Sequence, residues 1–329
     1  MTREGLIDKY QAMPGVDVRK IESVDFVWSG GLLSDAVPTD QHGTFDVLLA
    51  SHVIEHTPDL IAFFKAAQVL LREEGVIILA VPDKRYCFDY FQPVSTTGQV
   101  LEAHANQRIS HTGARGFDHF AYAVTDGGAE AWGRRPSEGL RLIHTLEESV
   151  KQYEAFDLCP FYQDLHAWYF VPSSFELLLL ELGRIGKIDW RILRIMPDMG
   201  LEFFAWLRRG AAVTVRSMSV EELNGRRMTL LKRTLLETQE QIDWLIASEP
   251  ELTSKQGGLS TWATPIRYQQ AEANLQRCQA DLTELRARVA TVEGDYATAM
   301  QQVAAFRAST FWRATAPFRY VLERVRRVG

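Results

Sequence analysis

Cysteine is scarce in this chain: there are three in 329 residues, Cys87, Cys159 and Cys278, far apart and with no C-x-x-C pair. An odd, scattered set excludes a disulfide framework and a cysteine zinc site, and it favours a reducing compartment. Long apolar runs are also missing. None, residues 177–180 included, comes near the roughly 20 residues that a membrane-spanning helix needs. Residues 1–8 carry charges where a signal peptide needs an apolar centre. Nor does one sign of charge dominate, since the net charge of -6 is modest and spread out, which gives no bulk attraction for nucleic acid. The expectation is a cytoplasmic protein, with peripheral contact at the inner membrane left open. The residues before Phe45 hold no glycine-rich phosphate- or nucleoside-binding loop.

What is present is most informative from Phe45 to Asp89. FDVLLASHVIEH leads into a helix, and a second apolar run, GVIILAVPDKRYCFD, follows. Residues 45–50 are apolar almost throughout, as expected of a strand covered on both faces. Thr57 is placed to cap the next helix, with Pro58 at its first position and Leu60, Phe63, Phe64, Ala67, Leu70 and Leu71 on one stripe. Gly75 stops that helix. Residues 76–81 form the second strand, ended by Pro82, which has no amide to donate. Two buried strands that each end in ionisable residues are how an open α/β sheet builds a ligand site beyond its carboxyl edge.

Around this unit, residues 5–13 have a helical pattern, and residues 24–28 (VDFVW) read as a strand ended by Gly30 and Gly31. Residues 92–160 read as an insertion covering the carboxyl edge of the sheet. Within it His104, His111, Asp118 and His119 either bind substrate or form a satisfied polar lid. Residues 164–171 alternate in character, Ser173 or Ser174 can cap a helix through Leu182, and residues 190–195 and 201–207 look like closing strands. The globular domain is expected to span residues 1–212.

Residues 213–260 read as a helical segment and linker, opened by a Ser219–Glu222 capping box. From Tyr268 to Phe306 apolar residues recur in alternating steps of three and four, which specifies a left-handed coiled coil over residues 261–308. The alternative is a single amphipathic helix lying on the domain. Residues 309–329 join Phe311, Trp312, Phe318 and Tyr320 to five arginines. Such a basic amphipathic tail suits an anionic bilayer surface, or else it is a solvated terminus.

HVIEH, residues 52–56, matches the H-x-x-E-H zinc-peptidase pattern. That chemistry needs both histidines on one helix, and here the motif follows a strand in a loop, with no third ligand in a helical setting downstream. No metal ligand is assigned on that ground.

The segment FDVLLASHVIEHTPDLIAFFKAAQVLLREEGVIILAVPDKR resembles the fourth strand, following helix and fifth strand of class I S-adenosylmethionine-dependent methyltransferases of the small-molecule type. DLHAWYFVPSSFELLLLELG and LEFFAWLRR are similar to the closing part of that fold. The resemblance implies an α/β, Rossmann-like sheet, N-terminally truncated because the strand and glycine-rich turn that open the family are not recognised ahead of GLIDKY. It implies S-adenosyl-L-methionine as cofactor, with Ser51, His52, Trp28, Gly30 and Leu32 against it. His56 becomes the candidate base, and Glu55 its orienter or a cofactor contact, unless the two only cap the next helix. Asp83, Lys84, Arg85 and Tyr86 would face the acceptor. STFWRATAPFR is similar to the ending of bacterial surface-polysaccharide enzymes. That implies a small-molecule or lipid-linked glycan acceptor, self-association through the coiled coil and a glycosyltransferase partner. The competing expectation is a catalytically degenerate scaffold that spaces glycosyltransferases through its coiled coil.

Overall fold

The computed structural model describes residues 1–248, except 14, 29, 134–138, 159–162 and 198–199. The expected coiled coil, basic tail, Cys159 and Cys278 lie outside the described residues. The chain divides into two units, Met1–Pro250 and Glu251–Gly329, and the first is described here.

The unit opens with helix α1 (Arg3–Tyr10), capped by the Thr2 hydroxyl, which accepts from the Gly5 amide. Strand β1 (Phe45–Ser51) follows, then helix α2 (Leu60–Leu70) and strand β2 (Leu71–Pro82). The insertion contributes α3 (Thr97–Ala105), α4 (Gly113–Tyr122), the short strands β3 (Val124–Asp126), β4 (Ala129–Glu130) and β5 (Leu140–Leu142), and α5 (Leu146–Leu158). Helix α6 (Pro172–Arg184), strands β6 (Trp190–Met196) and β7 (Glu202–Arg209), the turn of helix α7 (Ala211–Thr214) and the long α8 (Val220–Ser248) complete it.

The main sheet is four-stranded in the order β1-β2-β7-β6, with β1 and β2 parallel and the other pairs antiparallel. A parallel pair needs a crossover, and α2 supplies it. One face of the sheet carries Ala50, Ile77, Leu79, Phe203, Ala205 and Leu207 into a single core with Phe64 of α2 and Phe175 and Leu179 of α6. Trp190 is fully buried there and its indole donates to the Phe64 carbonyl at 2.9 Å, so its one polar atom is satisfied. On the opposite face Val47 and Leu49 of β1 remain exposed.

Four local expectations change. Residues 24–28 form no strand, and Val27 and Trp28 are exposed. Asp59, not Thr57, caps α2, its carboxylate accepting from the Ala62 amide at 3.0 Å, while the Thr57 hydroxyl donates to the Ile54 carbonyl. The helix ends at Leu70, and Gly75 instead sits inside β2. There the register between β1 and β2 slips, and a Cβ would meet the Arg72 carbonyl at 3.0 Å. Val171 occupies the cap position of α6, and Ser174 serves it from within the first turn by accepting from the Val171 amide.

Helix α8 does begin beyond Ser219, whose hydroxyl accepts from the Glu222 amide at 3.1 Å. It lies against α6, with Leu230 buried and Glu237 accepting from the Ser173 hydroxyl at 2.7 Å. The unit therefore runs past residue 212 through this helix. No helix among the described residues is long and apolar enough to cross a membrane.

Candidate functional site

The chain leaves the sheet sharply at the carboxyl end of β1. His52 takes a left-handed backbone conformation, φ 51°, uncommon outside glycine. A short 3-10 turn, Ile54–His56, follows before α2. This turn is pinned from a distant segment, because the amides of Ala167 and Trp168 both donate to the Glu55 carbonyl. Ile54 and Glu55 are thereby buried, and His56 is turned half outward.

A cavity of about 770 Å³ opens beside this turn. Its wall includes His52, Val53 and His56 from the turn, Asp59 and Phe63 from α2, Tyr10 from α1, Trp28 and Leu32 from the irregular segment, and Asp164. Of the residues that the sequence singles out, Trp28, Leu32, His52, His56 and, from the insertion, His104 meet here. Gly30 does not line the cavity, although Gly31 does, and Ser51 lies outside it. Glu55 is buried and does not line the cavity.

The expected acceptor residues lie elsewhere. Asp83, Lys84, Arg85 and Tyr86 are all buried against α8 and none lines this cavity. Asp83 holds Arg85 through two bonds, 2.9 Å to Nε and 2.6 Å to Nη2, and Glu240 takes Nη1 at 2.6 Å. The Lys84 ammonium donates to the Tyr90 carbonyl and to Gln241 Oε1, and Tyr86 packs on Trp244 at 5.3 Å between ring centres. The strand-end rule places these four beyond β2 correctly, but α8 covers them.

Sequence reasoning missed a second group, apart from its His119. His166 Nδ1 lies 2.5 Å from Asp89 Oδ2, and the His166 ring meets His56 edge-on at 4.6 Å and Phe88 at 4.7 Å. His119, from α4, stands 6.2 Å from His166. His56 Nδ1 is 2.9 Å from Asp164 Oδ1, though not aligned as a hydrogen bond. Asp164 and His166 both sit in the string DLHAWYFV, where the aspartate and histidine among apolar residues were the available signal.

Burial sets the charges. It pushes the Glu55 carboxyl above its ordinary range, despite the opposing pull of His166. It lowers His56 from 6.5 to about 4, with His166 adding to the effect, and lowers His111 and His119 to about 4 as well. Burial also opposes protonation of His166, but Asp89 and then Glu55 outweigh it and hold that imidazole above its usual value. His166, biased towards its protonated form, thus stands beside imidazoles that are neutral at neutral pH.

Residues 13–183, just over half of the chain, match the model of a family described as "Methyltransferase domain". The chain belongs to this family and carries a methyltransferase domain, a transferase fold, within a mixed α/β unit. The matched stretch holds the turn after β1, His166 and the cavity wall apart from Lys9 and Tyr10. Comparison of the chain with curated proteins finds no match.

Proposed function

We propose that the protein transfers a methyl group from S-adenosylmethionine to a hydroxyl of a small molecule, and that the cavity beside the β1 turn is where this occurs. The observation that carries the reading is that this cavity, lined mostly by residues of the matched methyltransferase domain, lies at the carboxyl end of a parallel strand, where open α/β sheets take their ligands. The residues present fit the cofactor. The volume lies in the range of small-molecule sites, Trp28 and Tyr10 offer aromatic faces to a purine, and Asp35 and Asp164 offer negative charge to a cationic sulfonium.

When bound, the cofactor supplies an electrophilic methyl group. The chain's own residues have to position the acceptor and receive its proton. His56 stands on the cavity wall and is the group placed to accept that proton, with Asp164 beside Nδ1 to orient the ring. Phe63, Val53 and Leu32 line the same cavity with apolar surface and reduce the water in it. The resemblance of STFWRATAPFR to surface-polysaccharide enzymes supports a sugar or lipid-linked glycan as acceptor, with self-association and a glycosyltransferase partner following from the C-terminal segment.

A second reading, a scaffold that keeps the fold without the chemistry, is favoured by one observation: β1 is an edge strand, and no glycine-rich turn after a strand precedes it among the described residues. Isothermal titration with S-adenosylhomocysteine decides between them. The enzyme reading expects saturable binding to the full chain that Trp28→Ala weakens at least tenfold while the thermal melt is unchanged. No binding at millimolar ligand would sink it and leave the scaffold.

A further inference from the structure

We propose that Glu55, His56 and His166 form a binding site for a divalent transition cation of the zinc class. One ligand atom from each of these residues lies within 4.8 Å of the other two. Two imidazoles and one carboxylate make a donor set that suits Zn²⁺ with a position left open.

The second, independent observation is the state of Glu55. Its side chain is 1% exposed, and neither carboxylate oxygen has a hydrogen-bond partner. Its ion-pair neighbours are His52 Nδ1 and His56 Nε2, both 3.7 Å from Oε1. A buried carboxylate without a partner is costly and calls for an explanation. Either a proton or a cation resolves it, and the geometry around the two histidines favours a cation.

Each ring has one nitrogen turned to a carboxylate, His166 Nδ1 to Asp89 and His56 Nδ1 to Asp164. A carboxylate behind the far nitrogen is the arrangement that orients metal-binding histidines and leaves Nε2 as the donor. His56 Nε2 already faces Glu55. Tetrahedral zinc with Zn–N near 2.0–2.1 Å places its donors about 3.3 Å apart. The observed spread therefore closes with side-chain shifts of about 1–1.5 Å.

The site differs from the peptidase pattern that HVIEH suggests. It uses Glu55 and His56 but replaces His52, which is engaged with Glu202 at 2.6 Å, by a histidine from far along the chain. Cation binding and proton acceptance use the same Nε2 lone pair of His56 and exclude one another. The proposal therefore stands apart from methyl transfer and is read by metal binding alone.

The test uses the purified full chain, stripped with a chelator and dialysed. Calorimetry with Zn²⁺ alone is expected to show one cation per chain. Co²⁺ in its place is expected to give the visible absorption of a four- or five-coordinate ion. Glu55→Gln and His166→Asn should each weaken binding at least a hundredfold, and Asp89→Asn by about 10- to 100-fold through the orientation of His166. His144→Asn, outside the cluster, should leave affinity unchanged. Equal affinity in Glu55→Gln and wild type overturns the proposal. Should the variants fail to fold, the wild-type Co²⁺ spectrum decides: the spectrum of the hydrated ion overturns it as well. Titration with S-adenosylhomocysteine on the same samples keeps the two readings apart, because either ligand can bind when the other does not.

Discussion

His52 Nε2 and Glu202 Oε2, 150 residues apart in sequence, lie 2.6 Å from each other. The contact ties the end of β1 to the start of β7 across β2. It also holds His52 in its left-handed backbone conformation, which directs the following turn away from the sheet. Strain of this kind persists only where surrounding contacts over-determine it.

Two substitutions separate the contact from the backbone. His52→Asn and His52→Val both remove the bond to Glu202, but asparagine tolerates a positive φ and a β-branched residue does not. The valine variant is expected to be less stable than the asparagine variant by about 1–2 kcal/mol in urea denaturation. Equal stability of the two would mean that the turn does not depend on this conformation.

The exits of β1 and β2 were legible because apolar runs bounded by Pro82 and by ionisable residues leave little else for residues 45–82 to form. The turn that buries Glu55 was not. It depends on amides at Ala167 and Trp168, which no local pattern connects to residue 55. The same distance hid the His166–Asp89 pair and the covering of Asp83–Tyr86 by α8. A periodic pattern reports the face of an element, not its partner. Residues 24–28 show the converse, since VDFVW has strand character but strand character without a neighbouring ladder makes no strand.

Close packing between α4 and α5 yields a second prediction. A Cβ at Gly116 would lie 2.5 Å from Phe156 Cδ2, and Phe156 is buried in the core. Gly116→Ala should destabilise the domain by about 1–3 kcal/mol through overpacking. Gly225, in the interior of α8, has nothing within 4 Å of where its Cβ would stand. There the same change removes only the conformational cost of glycine and should stabilise by about 0.5–1 kcal/mol. Thermal melts of the two variants are expected to move in opposite directions.

Lys84 makes stability depend on pH. Burial beneath α8 lowers its ammonium from 10.5 to about 8, with Cys87, Asp83 and Asp89 opposing the effect only in part. Between these values the unfolded chain keeps the proton and the folded chain has lost it. Unfolding therefore takes up a proton, and the free energy of unfolding rises with pH across that window. The penalty for holding the charged form is fully present below about pH 8 and is relieved by about pH 10.5, a change of about 3 kcal/mol for a shift of this size. Lys84→Met keeps the aliphatic stem and removes the titration. The stability of the wild type relative to this variant should therefore increase on going from about pH 7 to about pH 10, as measured by urea denaturation at each pH. Comparing the two proteins cancels the opposite contribution of Tyr169, whose buried acid is raised and remains in both. A difference that stays flat over this range would place the Lys84 charge in contact with water, and α8 would then not seal the end of β2.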